Sequence, residues 1–389
     1  FRTRRGEVTL GAEQIRLLSK TLRPLPFGKE EVSEAGERIV HSGFSNVEAR
    51  YRQRYADLAV NPDVREVFET RARLVSGLRA FLDARGYLEV ETPILQPQYG
   101  GALARPFTTR HEALDSTLYL RIADELYLKR LIVGNLDRVY EIGHDFRNEG
   151  IDRTHNPEFT MLELYEAYAD YRDIMMLAET MVTEVVEKVA GTLRFENEGR
   201  TVDLSPPWGR VTWGDAFEEA TGLDPLAADL DALRAGARAA GREDAGSLTR
   251  VQTLDVLFSA HVEDRIVDPT IVYDHPLATS PLAKPSRENP GYAERFEVVV
   301  AGFELVNAFS ELNDPVDQWI RFAEQERLRS AGDAEAMGID EDYVRALEYG
   351  LPPTGGLGLG VDRLVMLVTG RSSIREVILY PILRPEEGQ

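Results

Sequence analysis

An α+β fold is what this sequence predicts, on three observations. Residues 138–149 with 157–165, and residues 295–304, read as antiparallel hairpins of strands with a period of two. Runs with helical spacing cover 62–85, 123–133 and 171–190. The glycines near the C-terminus sit in no strand-helix-strand repeat, which excludes the parallel dinucleotide-binding class.

Composition sets the outer limits. The 389 residues allow about two or three domains, each able to bury its own core. There is no cysteine, so disulfide and cysteine-zinc scaffolds are excluded. Apolar runs such as Leu364 to Val368 fall far short of the roughly 20 residues that span a bilayer. No signal region follows the basic start at Phe1, and the expected setting is cytoplasmic, as a piece of a longer protein. Charge is uneven: 45 Lys+Arg against 66 Asp+Glu give −21, but residues 1–29 carry +5, which leaves −26 for the rest. A body this acidic meets RNA only through a local basic patch.

Along the chain, residues 1–29 alternate weakly, turn at Gly6 and close on Leu22-Arg23-Pro24-Leu25-Pro26, as strand remnants followed by a linker. At Asn61-Pro62 a helix opens with a cap and a first-turn proline, keeps apolar spacing through Leu82 and stops at Arg85-Gly86. A short strand follows at 87–91, then strands at 117–122 and 138–147. Residues 205–290 are Ala-rich and then Pro-rich, and read as a small helical insertion of illegible function. A helix is expected at about 315–330, and a Gly-rich strand-to-helix passage at 354–369.

Three stretches carry chemistry. In the first hairpin, Glu141, Arg147 and Glu149 share one strand face, and Phe159, Met161, Glu163 and Tyr165 share a face of its partner. Taken alone, that is a salt-bridged outer face; Met161 and Tyr165 argue against full exposure. In the second hairpin, a turn at Ala301-Gly302 puts Glu297 and Glu304 on one side, two hard oxygen ligands suited to Mg2+ shared with substrate phosphates, or equally to a solvated edge. Asn307, Phe309 and Glu311 have the opposite parity to Glu304, so one site for all of them requires a bulge near Asn307. The third is Gly355 to Gly360 ahead of a helix with Arg363 in its first turn, a combination that favours an anion, although a Gly-rich packing turn would look the same.

In this order, behind a long helix ending in a strand and Pro93, the three stretches resemble the signature motifs of class II aminoacyl-tRNA synthetases. Gly100 to Phe107, Leu120 to Arg130, Phe146 to Gly150, His155 to Thr160 and Asn307 to Asp314 are similar to the bacterial lysyl-tRNA synthetase family. The resemblance implies a class II catalytic domain over 30–389, an antiparallel sheet flanked by helices. Residues 1–29 would be the remnant and linker of an oligonucleotide-binding-fold domain that reads the anticodon, most of it absent from this chain. It implies a homodimer through residues 64–93, and lysine activation by ATP followed by transfer to tRNA(Lys).

Roles follow from motif position. Arg147 would bridge the lysine carboxylate and the ATP α-phosphate, acting with Arg363 as a catalytic cation. Glu149, His155, Asn156, Phe159 and Arg363 would hold ATP; Glu297 and Glu304 would bind Mg2+. Glu125, Glu311 and Tyr165 would meet the substrate ammonium, with Glu163, Asn307, Phe309 and the Gly101-Ala102 backbone completing the pocket. A Glu-rich pocket selects a cation, which argues against aspartate or asparagine as substrate. Asp124 departs from the family pattern, which usually has proline there. Two rivals are a freestanding relative that lysylates elongation factor P and a regulatory paralogue without catalysis; Phe1 to Leu22 count against the first, and the charged motif residues against the second.

Overall fold

The computed structural model describes residues 1–32, 38–41, 43–330 and 336–386. They form two compact units, Phe1–Val64 and Arg65–Gln389. In the first, β1 (Lys29–Val32) pairs with β2 (Arg38–His41), and two short helices follow, α1 (Val47–Arg52) and α2 (Arg54–Val60). Asp57 gathers Arg50, Arg54 and Asn61 around one carboxylate. Residues 1–28 contribute a turn at Gly6 and a bridge between Arg2 and Val8. The expected domain boundary at 29/30 therefore meets the start of a paired strand.

Helix α3 (Pro62–Asp83) begins at a proline, whose missing N–H is not needed in a first turn, and gives way to Gly86 at φ +80°. Leu74, Leu78 and Leu82, spaced one turn apart, are wholly buried. Truncating any of them to Ala would cost about 2–5 kcal/mol.

The scaffold of the second unit is an eight-stranded sheet in the order β11-β12-β13-β14-β15-β8-β7-β3. In chain order these are β3 (Leu88–Glu89), β7 (Arg138–Phe146), β8 (Glu158–Ala167), β11 (Gly209–Thr212), β12 (Thr270–Pro276), β13 (Tyr292–Val300), β14 (Phe303–Ser310) and β15 (Thr354–Gly360). Only the two edge pairs, β11 with β12 and β3 with β7, are parallel. A side sheet of β4 (Leu95–Gln96), β5 (Thr108–His111) and β6 (Ser116–Leu120) and a hairpin of β9 (Arg194–Asn197) and β10 (Arg200–Asp203) complete the strands.

One sheet face is the main core. Leu162, Leu164, Val306, Ala308, Leu357 and Leu359 pack there with α3, α5 (Tyr171–Ala190) and α11 (Val361–Thr369). The capping box of Asp170 with Asp173, and Gly191 at φ +70°, set the ends of α5. The other face is only partly covered: α4 (Glu125–Val133), α9 (Pro315–Ser330) and α10 (Glu341–Gly350) pack on Val139, Tyr165 and Ala167. The remainder of that face is the floor of a cavity. A four-residue helix, α12 (Ile374–Val377), follows α11.

The helical insertion expected at 205–290 contracts. Its helices are α6 (Trp213–Thr221), α7 (Leu230–Ala239) and α8 (Arg250–His261), packed on Trp213, Phe217 and Phe258. Its ends are main-sheet strands, because the β-branched run Thr270-Ile271-Val272 pairs with β13 rather than joining a helix. Among the described residues no helix is long and apolar enough to cross a membrane.

Candidate active site

A cavity of about 400 Å³ opens on the uncovered sheet face. Strand alternation sends Phe159, Met161, Glu163 and Tyr165 of β8 into it, while Leu162 and Leu164 go to the core. Beside them, β15 turns Gly356, Gly358 and Gly360 to that side. A Cβ on Gly356 would collide with Glu311 Oε1 and stand 2.6 Å from the Tyr165 ring; one on Gly358 would come 3.1 Å from Met161 Cε. These glycines thus make room in the floor of the cavity; they lie in a strand, with Arg363 just beyond them.

One end of the cavity is rich in buried carboxylates. Glu125 comes from the first turn of α4, Glu163 from β8 and Glu311 from the chain leaving β14. Burial raises all three: Glu163 is pushed up to about 8 with Asp145 and Glu125 as added repelling charges, and Glu311 stands well above the usual carboxylate range. In Glu125 the burial effect outweighs the opposing pull of Lys129. The Tyr165 hydroxyl donates to Glu163 Oε2 at 3.1 Å. Lys129, also on α4, pairs with both Glu125 and Glu311.

Behind this end lies a second charged layer. Arg121, itself buried, reaches Asp124 at 2.8 Å, Glu141 at 2.5 Å and Asp145 at 3.4 Å. Gly143 leaves the space that its guanidinium fills. Asp124 is the N-cap residue of α4 but makes no side-chain cap; its carboxylate serves Arg121 instead. Burial, then repulsion from Asp145 and Glu163, pushes the Asp124 carboxyl up to about 10. The residue that departs from proline thus sets its carboxyl against Arg121.

The opposite end is cationic and more open. Arg147 anchors its Nε on the Ile122 carbonyl at 3.3 Å, with its guanidinium carbon 5.0 Å from the Phe159 ring centroid. Arg363 donates to the Glu304 carbonyl at 2.5 Å and lies 3.4 Å from His155 Nε2. Asp152 holds the other nitrogen of that imidazole at 2.9 Å. Next to Arg363 in the sequence, Asp362 accepts the Thr160 N–H at 2.7 Å and pairs with Arg71 of α3, which fixes the start of α11. Asn156 donates to the Glu158 carbonyl, and its own buried carbonyl oxygen has no hydrogen-bond partner among the described residues.

The parity conflict in β13 and β14 resolves as a bulge. Val298 faces Val306, but Val299 faces Glu304, which leaves Leu305 as the extra residue and brings Asn307 opposite Glu297. Both Leu305 and Val306 are buried, and Asn307 and Phe309 return to the cavity side. Glu304 lines the cavity, its carboxyl raised by burial and by Glu297. Among the described residues no group of three acidic or histidine side chains is arranged to hold a metal alone. Two adjacent carboxylates beside the cationic end fit Mg2+ held jointly with phosphates and water, the usual mode for that ion.

The expected nucleotide residues Arg147, Glu149, His155, Asn156, Phe159 and Arg363 line this single cavity. So do Gly101, Ala102, Glu125, Glu163, Tyr165, Asn307 and Phe309 of the expected lysine pocket. Two expected residues do not. Glu311 lies behind Gly356, and Glu297 is engaged by Arg295 at 2.5 Å. Sequence reasoning missed Arg295, which also holds Asn307 at 3.1 Å; its parity with Glu297 was a usable signal. It missed Lys129, although Glu125 and Lys129 stand one helical turn apart. Thr279 to Ala283, inside the supposed insertion, also line the cavity and carry no signal.

A family model described as tRNA synthetases class II (D, K and N) matches residues 46–384. The chain is 52% identical over 391 residues to a lysine-tRNA ligase of Syntrophomonas wolfei, covering 100% of this chain and 77% of that protein. It is 51% identical over 389 residues to the lysine-tRNA ligase of Carboxydothermus hydrogenoformans, again 100% against 77%. The lysine-tRNA ligase of Moorella thermoacetica gives 52% over 389 residues with the same coverage.

Proposed function

The chain belongs to the class II tRNA synthetases (D, K and N) and among them to the lysine-tRNA ligases, and from that premise we propose how its cavity divides the work. It is an ATP-dependent ligase that joins lysine to tRNA. The observation that carries the assignment of roles is the polarity of one cavity, with buried Glu125 and Glu163 lining one end, Glu311 behind Gly356 at that end, and Arg147 and Arg363 at the other.

Lysine enters with its ammonium groups toward the glutamates and its carboxylate toward Arg147. Transfer of an ammonium out of water is costly unless anions replace the lost hydration, and this end supplies them. ATP lies at the open end, bent over Phe159, with Glu149, His155 and Asn156 around it. A carboxylate oxygen of lysine attacks the α-phosphorus in line, a new P–O bond forms, and the bond to pyrophosphate breaks. Arg147 and Arg363 stabilise the charge that develops on the transferring group and the leaving group. Mg2+ bound by Glu297 and Glu304 with the phosphates would neutralise the pyrophosphate. No side chain is needed as a nucleophile. In the second step the 3'-hydroxyl of tRNA attacks the adenylate carbonyl and AMP departs.

The same reading makes the protein cytoplasmic and a homodimer about α3; exposed Leu88, Ile94 and Leu95 just beyond that helix support a covered face. It assigns residues 1–29 to the last strands and linker of an anticodon-binding barrel, to which the Arg2-Val8 bridge lends support. The deciding experiment is amino-acid-dependent ATP-pyrophosphate exchange across the standard amino acids. Exchange with lysine alone is expected. No exchange from folded protein would return the regulatory reading, and exchange without any charging of tRNA(Lys) would favour a protein acceptor.

A further inference from the structure

The glutamate end already contains an ammonium. Lys129 is wholly buried, does not line the cavity, and joins Glu125 of its own helix to Glu311 of the sheet. Its nitrogen lies 5.4 Å from the centre of the Phe309 ring and 5.9 Å from that of Tyr343, so aromatic faces close the space around it. Glu311 has no other ionic partner among the described residues.

We infer that Lys129 is a positioning residue that sets lysine specificity: its internal ammonium fixes Glu125 and Glu311 and leaves the pocket with the charge that one lysine substrate matches. The inference rests on the lysine pocket proposed above. Once the bound ammonium groups have drawn all three carboxyls, Glu125, Glu163 and Glu311, into their ionised form, the one resident cation leaves two negative charges. Lysine brings two ammonium groups to that end, and its carboxylate is met by Arg147. Without Lys129 three buried carboxylates could not all ionise; one would take a proton and turn from acceptor to donor. Glu311 would also lose the charged group that holds it against the sheet. Lys129 touches no reacting atom, so its effect should appear in the choice and binding of the amino acid.

The test is ATP-pyrophosphate exchange with Lys129→Met, Glu311→Gln and the double variant, reading KM for lysine and for ATP separately. For Lys129→Met the expected result is a lysine KM raised about 30-fold or more, as for an uncompensated buried charge, with ATP KM little changed. The double variant should bind lysine no worse than Glu311→Gln alone, because with both removed Glu125 and Glu163 again leave two negative charges. Lys129→Arg, which keeps the charge, should recover part of the loss. A folded Lys129→Met with unchanged lysine KM, or with both KM values raised together, overturns the inference. If Lys129→Met does not fold, the double variant decides: lysine binding much weaker than in Glu311→Gln overturns it, and equal binding supports it. Unchanged lysine KM in Glu311→Gln would instead remove the pocket reading itself.

Discussion

The two ends of the cavity are built on opposite principles. At the glutamate end nearly every polar group is buried and committed in advance: Glu125 and Glu311 to Lys129, Glu163 to Tyr165, and behind them Arg121 to its three carboxylates. At the cationic end Arg147 and Arg363 are half-buried, His155 and Glu149 are exposed, and both guanidiniums are anchored on backbone carbonyls. A committed, dry site discriminates, because a wrong side chain leaves its charges unmatched at low dielectric. An anchored cation that keeps donors free can follow charge as it moves from ATP to the leaving group. Selection and chemistry are thus separated within one cavity, and each end can be broken without the other.

The largest separation is expected from Arg147→Ala. It removes a cation from the transferring phosphoryl group while leaving the glutamates untouched. Adenylate formation should fall at least about 10³-fold, equivalent to about 4 kcal/mol of transition-state stabilisation. Lysine binding measured without ATP should change much less, since only one of its charged groups loses a partner. Exchange kinetics and calorimetric titration of lysine check both halves; equal losses in the two would mean that the ends are not separate.

A smaller effect on the other end is expected from Gly356→Ala. The added methyl group collides with Glu311 Oε1 and the Tyr165 ring, neither of which can withdraw, because Glu311 is tied to Lys129 and Tyr165 to Glu163. Lysine KM should rise by about tenfold to thirtyfold, in line with 1–3 kcal/mol for overpacking, with ATP KM unchanged. A thermal-unfolding midpoint within a few degrees of the parent would show that the loss is local.

The legibility of the site follows the range of the interactions. Strand faces could be read because alternation is local, and the conflict between Glu304 and Asn307 even located the bulge, since a side chain on the wrong face needs an extra residue. Arg147, Glu163 and Arg363 carried motif spacing. The internal pairing of Lys129 was hidden because Glu125 and Lys129 one turn apart read as an exposed helix pair, and only packing under Tyr343 buries them. Arg121 gathers Asp124, Glu141 and Asp145 from a helix start and a neighbouring strand, a convergence no local pattern encodes. The sheet strands β11 and β12 were absorbed into an insertion for the same reason: β11 pairs with β12, and the partner of β12, β13, lies beyond a Pro-rich passage.

The smallest effect is one of pH, and its sign is fixed by which end titrates. In the empty site Glu163 is raised to about 8 by burial first and then by Asp145 and Glu125. Below that pH it carries a proton and offers no charge to an ammonium, whereas the lysine side chain, with a pKa of about 10.4, stays charged throughout the range. Binding at pH 7 must therefore expel a proton from the pocket. Affinity for lysine should improve as pH rises from 7 to 8, by at most about tenfold per unit for a single proton, and level off above. ATP KM should not follow. In Glu163→Gln the lysine profile should lose its slope as well as its affinity. A slope that survives this substitution would move the titrating group to Glu125 or Glu311, whose carboxyls are also raised, and would make the pair around Lys129 the part of the pocket that responds to pH.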